Sequence, residues 1–550
     1  MSSSQSIFTQ LAQLIPREQL PSTPILVLAA IFGFPILAVL INVSYQLFWP
    51  KDPSLPPVVF HYVPWLGSAV SYGMDPYKFY FDCREKHGDL FTFILIGRKV
   101  TVALGPKGND MILGGKLSQV SAEEAYTHLT TPVFGKDVVY DCPNHVFMEQ
   151  KKFVKFGLSL ENLKAYIPMI FEEFDTMLKT DDSFKAFKDG SKEWSSFPAL
   201  KTLGELTILT ASRTLQGKEV RAGLDKSFAQ KYENLDRGFT PINFLFPYLP
   251  LPSYWKRDQA QKEMSDFYLG IIEGRRNGES DHEHDMIASL QNQTSKDGRP
   301  LSDREIAHIM IALLMAGQHT SSATSSWTLL ELAANPEVYQ RLYDEQVAVL
   351  GQPDGSFRML EYDDIKNLKV MDSCIRETLR IHAPIHSIFR KVISDISVPQ
   401  ALSAPSESGQ YVIPKGYYVL ASPGVAQMDA RIWENASKWD PARWTDKSGV
   451  AAKAGEQYEN NAGDKVDYGF GAISKGTESP YQPFGAGRHR CIGESFAYVQ
   501  LSTILAAFVQ NMELKLEGGV PATDYESMIV LPKHPHTIHY RKRQPRKAAA

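Results

Sequence analysis

The chain has 550 residues, 43% of them apolar, with 58 basic side chains against 62 acidic ones and a net charge of −4. That near-balance excludes the strongly basic surface a nucleic-acid binder needs. Four cysteines, Cys83, Cys142, Cys374 and Cys491, lie far apart with no CxxC pair, which excludes a zinc ribbon and a disulfide scaffold and fits a reducing compartment.

Residues 1–23 form an N-terminal segment in which Phe8, Leu11 and Ile15 would share one helical face, either lying at a membrane interface or disordered. Residues 24–48, "PILVLAAIFGFPILAVLINVSYQLF", carry no charge and are long enough to cross a bilayer as one helix. Pro35 in the middle would kink it, which membrane helices tolerate. Residues 49–68, "WPKDPSLPPVVFHYVPWLGS", are proline-rich and read as a stiff, extended linker. A single domain would fill residues 69–550, since no repeat and no second linker interrupts them.

Helical periodicity dominates that domain. "SDRE" at Ser302 predicts a capping box with Glu305, and the apolar positions Ile306, Ile309, Leu313 and Leu314 carry a helix to Asn335, stopped by Pro336. In its middle stands "AGQHTSS", where Gly317 weakens the helix by about 1 kcal/mol relative to alanine. The hydroxyls of Thr320 and Ser321 can compete for backbone carbonyls there. Such a stretch predicts either a kink or a groove in which a small ligand meets the backbone.

Downstream, "DSCIRETLRIH" puts Glu377 and Arg380 on one helical face, and "KWDPARWTD" supplies Arg443 from a proline-bearing loop. A buried glutamate shared by two arginines would be a rigid, charge-assisted lock. Residues 446–476 are polar and glycine-rich and read as a surface insertion. The terminal "RKRQPRKAAA" reads as a basic, solvated tail. Between them, "PFGAGRHRCIGE" sets Cys491 among glycines and behind Arg488, His489 and Arg490. Glycines admit close backbone approach, and a positive field favours thiolate, so the loop reads as a cradle for a metal-bound sulfur.

Taken in order, "AGQHTS", "ETLR", "WDPARW" and "PFGAGRHRCIG" resemble the signature elements of the cytochrome P-450 superfamily. The resemblance implies a mostly α fold with a smaller β-rich part, preceded by the one N-terminal transmembrane helix. It makes Cys491 the axial thiolate ligand of the iron in heme b (iron protoporphyrin IX). Gly487 would let the loop pass close to the porphyrin, Phe484 would pack beneath it, and Glu377, Arg380 and Arg443 would be the structural lock. Co-substrates would be O2 and electrons from NADPH, delivered by a separate flavoprotein, the NADPH-cytochrome reductase.

"AYTHLTTPVFGKDVVYDCPN", "MEQKKF", "LDRGFTPINF", "HAPIHSIFRKV" and "DYESMIVLP" narrow the likeness to the fungal sterol 14α-demethylases. By that likeness Tyr126, Tyr140, Lys151, Arg390 and His489 would hold the heme propionates. Tyr126, Thr130, Phe134, Tyr140, Phe239, His319, Ser387, Phe389 and Met528 would line an apolar sterol pocket. His319 stands where the superfamily usually has an acid. With Thr320, and with Asp236 as acidic partner, it would relay protons; a satisfied core histidine is the plainer reading. The implied reaction removes the 14α-methyl group of lanosterol or 24-methylenedihydrolanosterol as formate in three oxidations, a step of ergosterol biosynthesis. The implied place is the endoplasmic reticulum membrane, spanned once and with the catalytic domain facing the cytosol. A sterol C-22 desaturase is the rival within the superfamily; it would lack "YTHLTTPVFG" and "HAPIHSIFRKV".

Overall fold

The Ser302 side chain accepts from Glu305 N–H while the Glu305 carboxylate takes Ser302 N–H, so the predicted capping box is formed. The central helix it opens runs Asp303–Ala334, 32 residues, or about 48 Å. Pro336 opens the next helix, Pro336–Leu350. The central helix packs against the helices Ala199–Ala211, Pro252–Arg276 and Glu494–Asn511. Two apolar cores meet it at different heights. Ile306, Met310 and Leu314 join Met264 and Tyr268, whereas Trp327, Leu329 and Leu330 join Phe174 and Phe508.

The computed structural model describes residues 23–278, 285–295, 298–403, 411–460 and 475–544, with the side chains of 23–32, 226, 241 and 460 excepted. The described residues are mostly helical with smaller sheets. The largest sheet has the order Leu90–Leu95, Arg98–Ala103, Tyr418–Ala421, Ile388–Val392, Val120–Ser121. Only the pair Arg98–Ala103 with Tyr418–Ala421 is parallel. A two-residue turn at Ile96 and Gly97, both with positive φ, closes the first hairpin, as the twist of the flanking strands requires. A second sheet sets Thr537–Lys542 between Ser195–Pro198 and Met512–Lys515.

Three stretches carry more structure than their composition announced. Within the extended linker, residues 57–68 dock on a sheet edge: Val59 N–H donates to Thr92 O, Thr92 N–H to Pro57 O, and Ser68 N–H to Ile94 O, each at 2.8 Å. Proline lacks a donor, but its carbonyl still accepts, so a proline-rich stretch can line a sheet edge. Asn42 and Gln46 also donate to the His61 carbonyl, tying the first helix to this stretch. The supposed surface insertion begins as a helix, Val450–Asn460, which buries Ala451, Ala454 and Tyr458; residues 461–474 lie outside the described ones. The basic tail starts inside a strand with Arg541 and Lys542 exposed, in keeping with a solvated tail, and Arg541 pairs with Glu513 at 2.5 Å.

The first helix spans Thr23–Phe48 with Pro35 inside it. Among the described residues no helix is long and apolar enough to cross a membrane, and this helix has described side chains only from residue 33 on. The segment with Phe8, Leu11 and Ile15 lies outside the described residues.

Candidate functional site: a cysteine loop, a cationic cluster and an uncovered helix face

Local backbone chemistry shapes the cysteine loop. Gly485 N–H donates to Gln482 O, Arg490 N–H to Gly487 O, and Cys491 N–H closes back onto Phe484 O at 2.9 Å. Gly485 and Gly487 both have φ near +69°, and a Cβ on Gly487 would run into the Leu113 carbonyl. Glycine is therefore demanded at that position. From the helix Asn144–Gly157, Lys151 Nζ reaches across to donate to Arg488 O (2.8 Å) and Arg490 O (3.2 Å). Arg490 pairs with Glu494 at 2.9 Å, and Phe484 lies 5.7 Å from the Tyr498 ring.

Cys491 is solvent-accessible, yet the protein packed about the loop pushes its thiol pKa up. The Gly493 N–H, Lys151 and Arg490 pull it down by less. The positive field expected from the sequence is present but does not by itself hold a thiolate. A coordinating cation would, because a metal-bound thiol is deprotonated outright.

Beside the loop the predicted anion-holding residues come together. The Tyr126 and Tyr140 rings stack at 5.3 Å, Tyr140 lies 6.0 Å from His489, and Phe147 stacks on His489 at 5.9 Å. Tyr126 accepts Phe389 N–H at 2.8 Å. Burial raises the Tyr126 pKa and lifts that of Tyr140 to about 12, so both phenols stay neutral donors. The His489 pKa falls well below its usual value, by burial first and then by Arg390, Lys151 and Arg488.

Arg390 is buried, and its one recorded bond is from Nη1 to Phe389 O. Neither Arg390 nor Arg488 forms an ion pair among the described residues. The His489 Nδ1 atom is buried without a partner. A buried, unpaired Arg390 and an orphaned imidazole nitrogen call for an acidic group. A porphyrin carrying carboxylates and an iron that takes a thiolate fits this donor set.

The central helix stays helical through the stretch where the sequence suggested a kink or a groove, but one face of it is uncovered there. Residues 305–312 and 321–333 are all buried, yet Ala316 is exposed and Gly317, His319 and Thr320 are half-buried. Thr320 Oγ1 bonds back to Ala316 O at 2.8 Å without breaking the helix. His319 Nε2 lies 2.9 Å from Asp236 Oδ1 and 3.0 Å from the Tyr232 hydroxyl. The imidazole is one-quarter exposed and its carboxylate partner nearly half exposed, so the pair lies at the edge of this uncovered face.

The predicted sterol-facing residues fall into groups. Phe389 packs 5.6 Å from Phe244, which also lies 6.5 Å from Tyr126, while Phe134 and Phe239 pair at 5.3 Å. Thr130 is buried and bonds back to Tyr126 O. The Ser387 hydroxyl is already engaged by Tyr72 (3.0 Å), Tyr80 (2.5 Å) and His386 (2.6 Å), so it offers a ligand little. Met528 arrives on a separate turn, seated by Val530 N–H on Pro384 O and by Trp327 Nε1–H on Val530 O. Sequence reasoning missed Phe244 and Tyr232. The latter was legible, since Tyr232 and Asp236 stand four apart on one helix, Lys226–Asp236.

Below the site the two arginines meet their glutamate. Glu377 Oε1 accepts from Arg380 Nη2 and Arg443 Nε at 2.8 Å and from Asp440 N at 3.0 Å. Its Oε2 accepts from Arg380 Nε and Trp444 Nε1 at 2.9 Å. Gln427 extends the lock, donating to Arg380 O and accepting Gln482 N–H. The trio thereby braces the start of the cysteine loop.

The family model for Cytochrome P-450 matches residues 55–540. The chain is 53% identical over 544 residues to a lanosterol 14-alpha demethylase of Mycosarcoma maydis, covering 96% of each chain. It is 49% identical to a lanosterol 14-alpha demethylase of Candida tropicalis, over 91% of this chain and 93% of that one. An eburicol 14-alpha-demethylase of Uncinula necator matches at 48%, over 93% and 95%. Among solved structures, a retinoic acid bound cyanobacterial CYP120A1 superposes with a TM-score of 0.71 at 18% identity, covering 90% of this chain and 100% of that one; that likeness concerns the fold. The chain belongs to the cytochrome P-450 family, among the fungal sterol 14-alpha demethylases that it matches along nearly its whole length.

Proposed function

We propose that this protein removes the 14α-methyl group of lanosterol or 24-methylenedihydrolanosterol as formate, in three successive oxidations. The observation that carries this reading is the 53% identity, over 96% of each chain, to a lanosterol 14-alpha demethylase. The relatives named for the same demethylation at 48–49% support it and disfavour the C-22 desaturase. Heme b on Cys491, with electrons from NADPH through a flavoprotein reductase, supplies the activation of O2.

The chain's own residues do the rest. Lys151 and the Phe484 carbonyl fix the loop that presents Cys491. Tyr126, Tyr140, Arg390 and His489 hold the acidic groups of the cofactor. The aromatic groups around Phe389 and Phe134 exclude water and hold a flat apolar steroid with few polar anchors. Three attacks on one carbon require that the ring system keep its orientation between them. Thr320 and His319 move protons, and Asp236 stabilises the charged imidazole from 2.9 Å.

The first helix serves as a single-pass anchor in the endoplasmic reticulum membrane, leaving the catalytic domain in the cytosol. Exposed Phe34 and Phe48, at 74% and 82%, support a lipid-facing role. Deleting residues before Lys51 should release protein from membranes with its heme intact; a deletion variant that binds no heme would make this helix part of the folded core. For the substrate, purified holoprotein titrated with lanosterol should show the low- to high-spin shift of the heme band. Cholesterol, which lacks the 14α-methyl group, should give a weaker one. Equal responses to both sterols would remove the support for 14α-methyl recognition.

A further inference from the structure

His319 has two neighbours at the same nitrogen. Its Nε2 lies 2.9 Å from Asp236 Oδ1 and 3.0 Å from the Tyr232 hydroxyl, and the Tyr232 and His319 rings stack at 5.7 Å. What each neighbour can offer that nitrogen follows from bonds further out. The Gln318 amide donates from Nε2 to Gly204 O, which turns its Oε1 toward Tyr232, and the Tyr232 hydroxyl donates to that oxygen at 3.0 Å. A phenol has one proton. With it committed to Gln318, the Tyr232 oxygen faces His319 as an acceptor, and the Asp236 carboxylate only accepts. Two acceptors at one ring nitrogen require an N–H there, so the other nitrogen carries the variable proton.

We propose that Tyr232 is a positioning residue for proton delivery: held by Gln318, it fixes the Nε2–H form of His319, so that Nδ1 is the nitrogen that takes up and releases protons. Among the described residues Nδ1 has no recorded partner, as an exchanging atom needs. The proton released from Nδ1 leaves a neutral ring still bonded through Nε2–H, and solvent replaces it at a side chain that is one-quarter exposed. Burial keeps the Tyr232 phenol neutral across the working range, so the arrangement does not titrate away. Tyr232 and Asp236 stand one turn apart on the helix Lys226–Asp236, which therefore sets both bonds at once. Asp236 is the charge partner, and Tyr232, held as an acceptor by Gln318, joins it in fixing the tautomer.

This inference rests on His319 acting as a proton relay, and the experiment separates the two. Holoenzyme with reductase and lanosterol is compared as wild type, Tyr232→Phe, the double variant Tyr232→Phe/Gln318→Leu, and His319→Ala. Loss of one such hydrogen bond should lower kcat of Tyr232→Phe about fivefold. KM and the sterol dissociation constant from the spin-state titration should stay within about twofold. The share of NADPH electrons lost as hydrogen peroxide should rise. The double variant removes the amide oxygen that Tyr232→Phe orphans, and it should show the same kcat loss with normal stability. Unchanged kcat in folded Tyr232→Phe, recovery of kcat in the double variant, or a parallel loss of sterol binding would each overturn the assignment. Unchanged turnover in His319→Ala would instead overturn the relay itself.

Discussion

Replacing Glu377 by alanine tests the lock beneath the site. Both carboxylate oxygens and the whole of Arg380 are fully buried, and the carboxylate receives five hydrogen bonds from Arg380, Arg443, Trp444 and Asp440 N. Without Glu377, Arg380 keeps only the carbonyls of Gln427, Ala436 and Lys438. They solvate the guanidinium but do not neutralise it. Stranding such a buried charge costs about 3–5 kcal/mol, a large part of a total stability of about 5–15 kcal/mol. Arg443→Ala is milder, because Glu377 keeps Arg380, Trp444 and Asp440 N; about 1.5–3 kcal/mol is expected from one charged hydrogen bond. Denaturant unfolding at matched heme loading, followed by circular dichroism and heme absorbance, should rank Glu377→Ala well below Arg443→Ala and both below wild type. Because Gln427 links Arg380 O to Gln482 N–H, Glu377→Ala should also lose heme. A Glu377→Ala protein that keeps its heme and unfolds no earlier than Arg443→Ala would refute this reasoning.

Cys491→Ala should lose the red-shifted carbon monoxide band of thiolate-ligated heme, and buried Cys83→Ala should keep it; a shifted band in Cys491→Ala would move the ligand elsewhere. Arg390→Leu removes a buried cation that has no ion pair among the described residues. Heme titration of the apoprotein should find affinity lower by about 10–100-fold, and unchanged affinity would take Arg390 out of the cofactor site. Burial lowers the His386 pKa from 6.5 to about 4. The unfolded chain therefore binds that proton first, so the associated stability is complete above pH 6.5 and is lost as pH falls toward 4. His386→Gln should flatten the pH dependence of the unfolding midpoint in that window, and identical slopes would show that His386 stays uncharged for another reason.

Local signals carried much of this molecule. The capping box at Ser302 and the stop at Pro336 bound the central helix as read, because both are encoded within a few residues. The glycines around Cys491 were legible for the same reason, since a positive φ leaves its mark on residue choice. What the sequence hid is convergence over long separations. Lys151 meets the carbonyls of Arg488 and Arg490 more than 330 residues away, and no periodicity announces that. Ser387 looked like a pocket hydroxyl, but Tyr72 and Tyr80 from a distant helix pair had already claimed it. The stretch from Pro57 to Ser68 read as extended, but its docking was hidden because composition reports side chains and the docking is made by backbone carbonyls and amides. In Val450–Asn460 the buried Ala451, Ala454 and Tyr458 do follow a helical spacing. Small residues and flanking glycines made that stripe too faint to outweigh the polar composition.

The most direct measurement of the central claim is turnover itself. Purified full-length protein is reconstituted with a flavoprotein reductase, NADPH and either lanosterol or 24-methylenedihydrolanosterol carrying a labelled 14α-methyl group. The account predicts labelled formate and a 14-demethylated diene in equal amounts, with three NADPH consumed per formate when coupling is complete. A competent heme and reductase that leave the 14α-methyl group on both sterols, or that oxidise a different carbon, would contradict it.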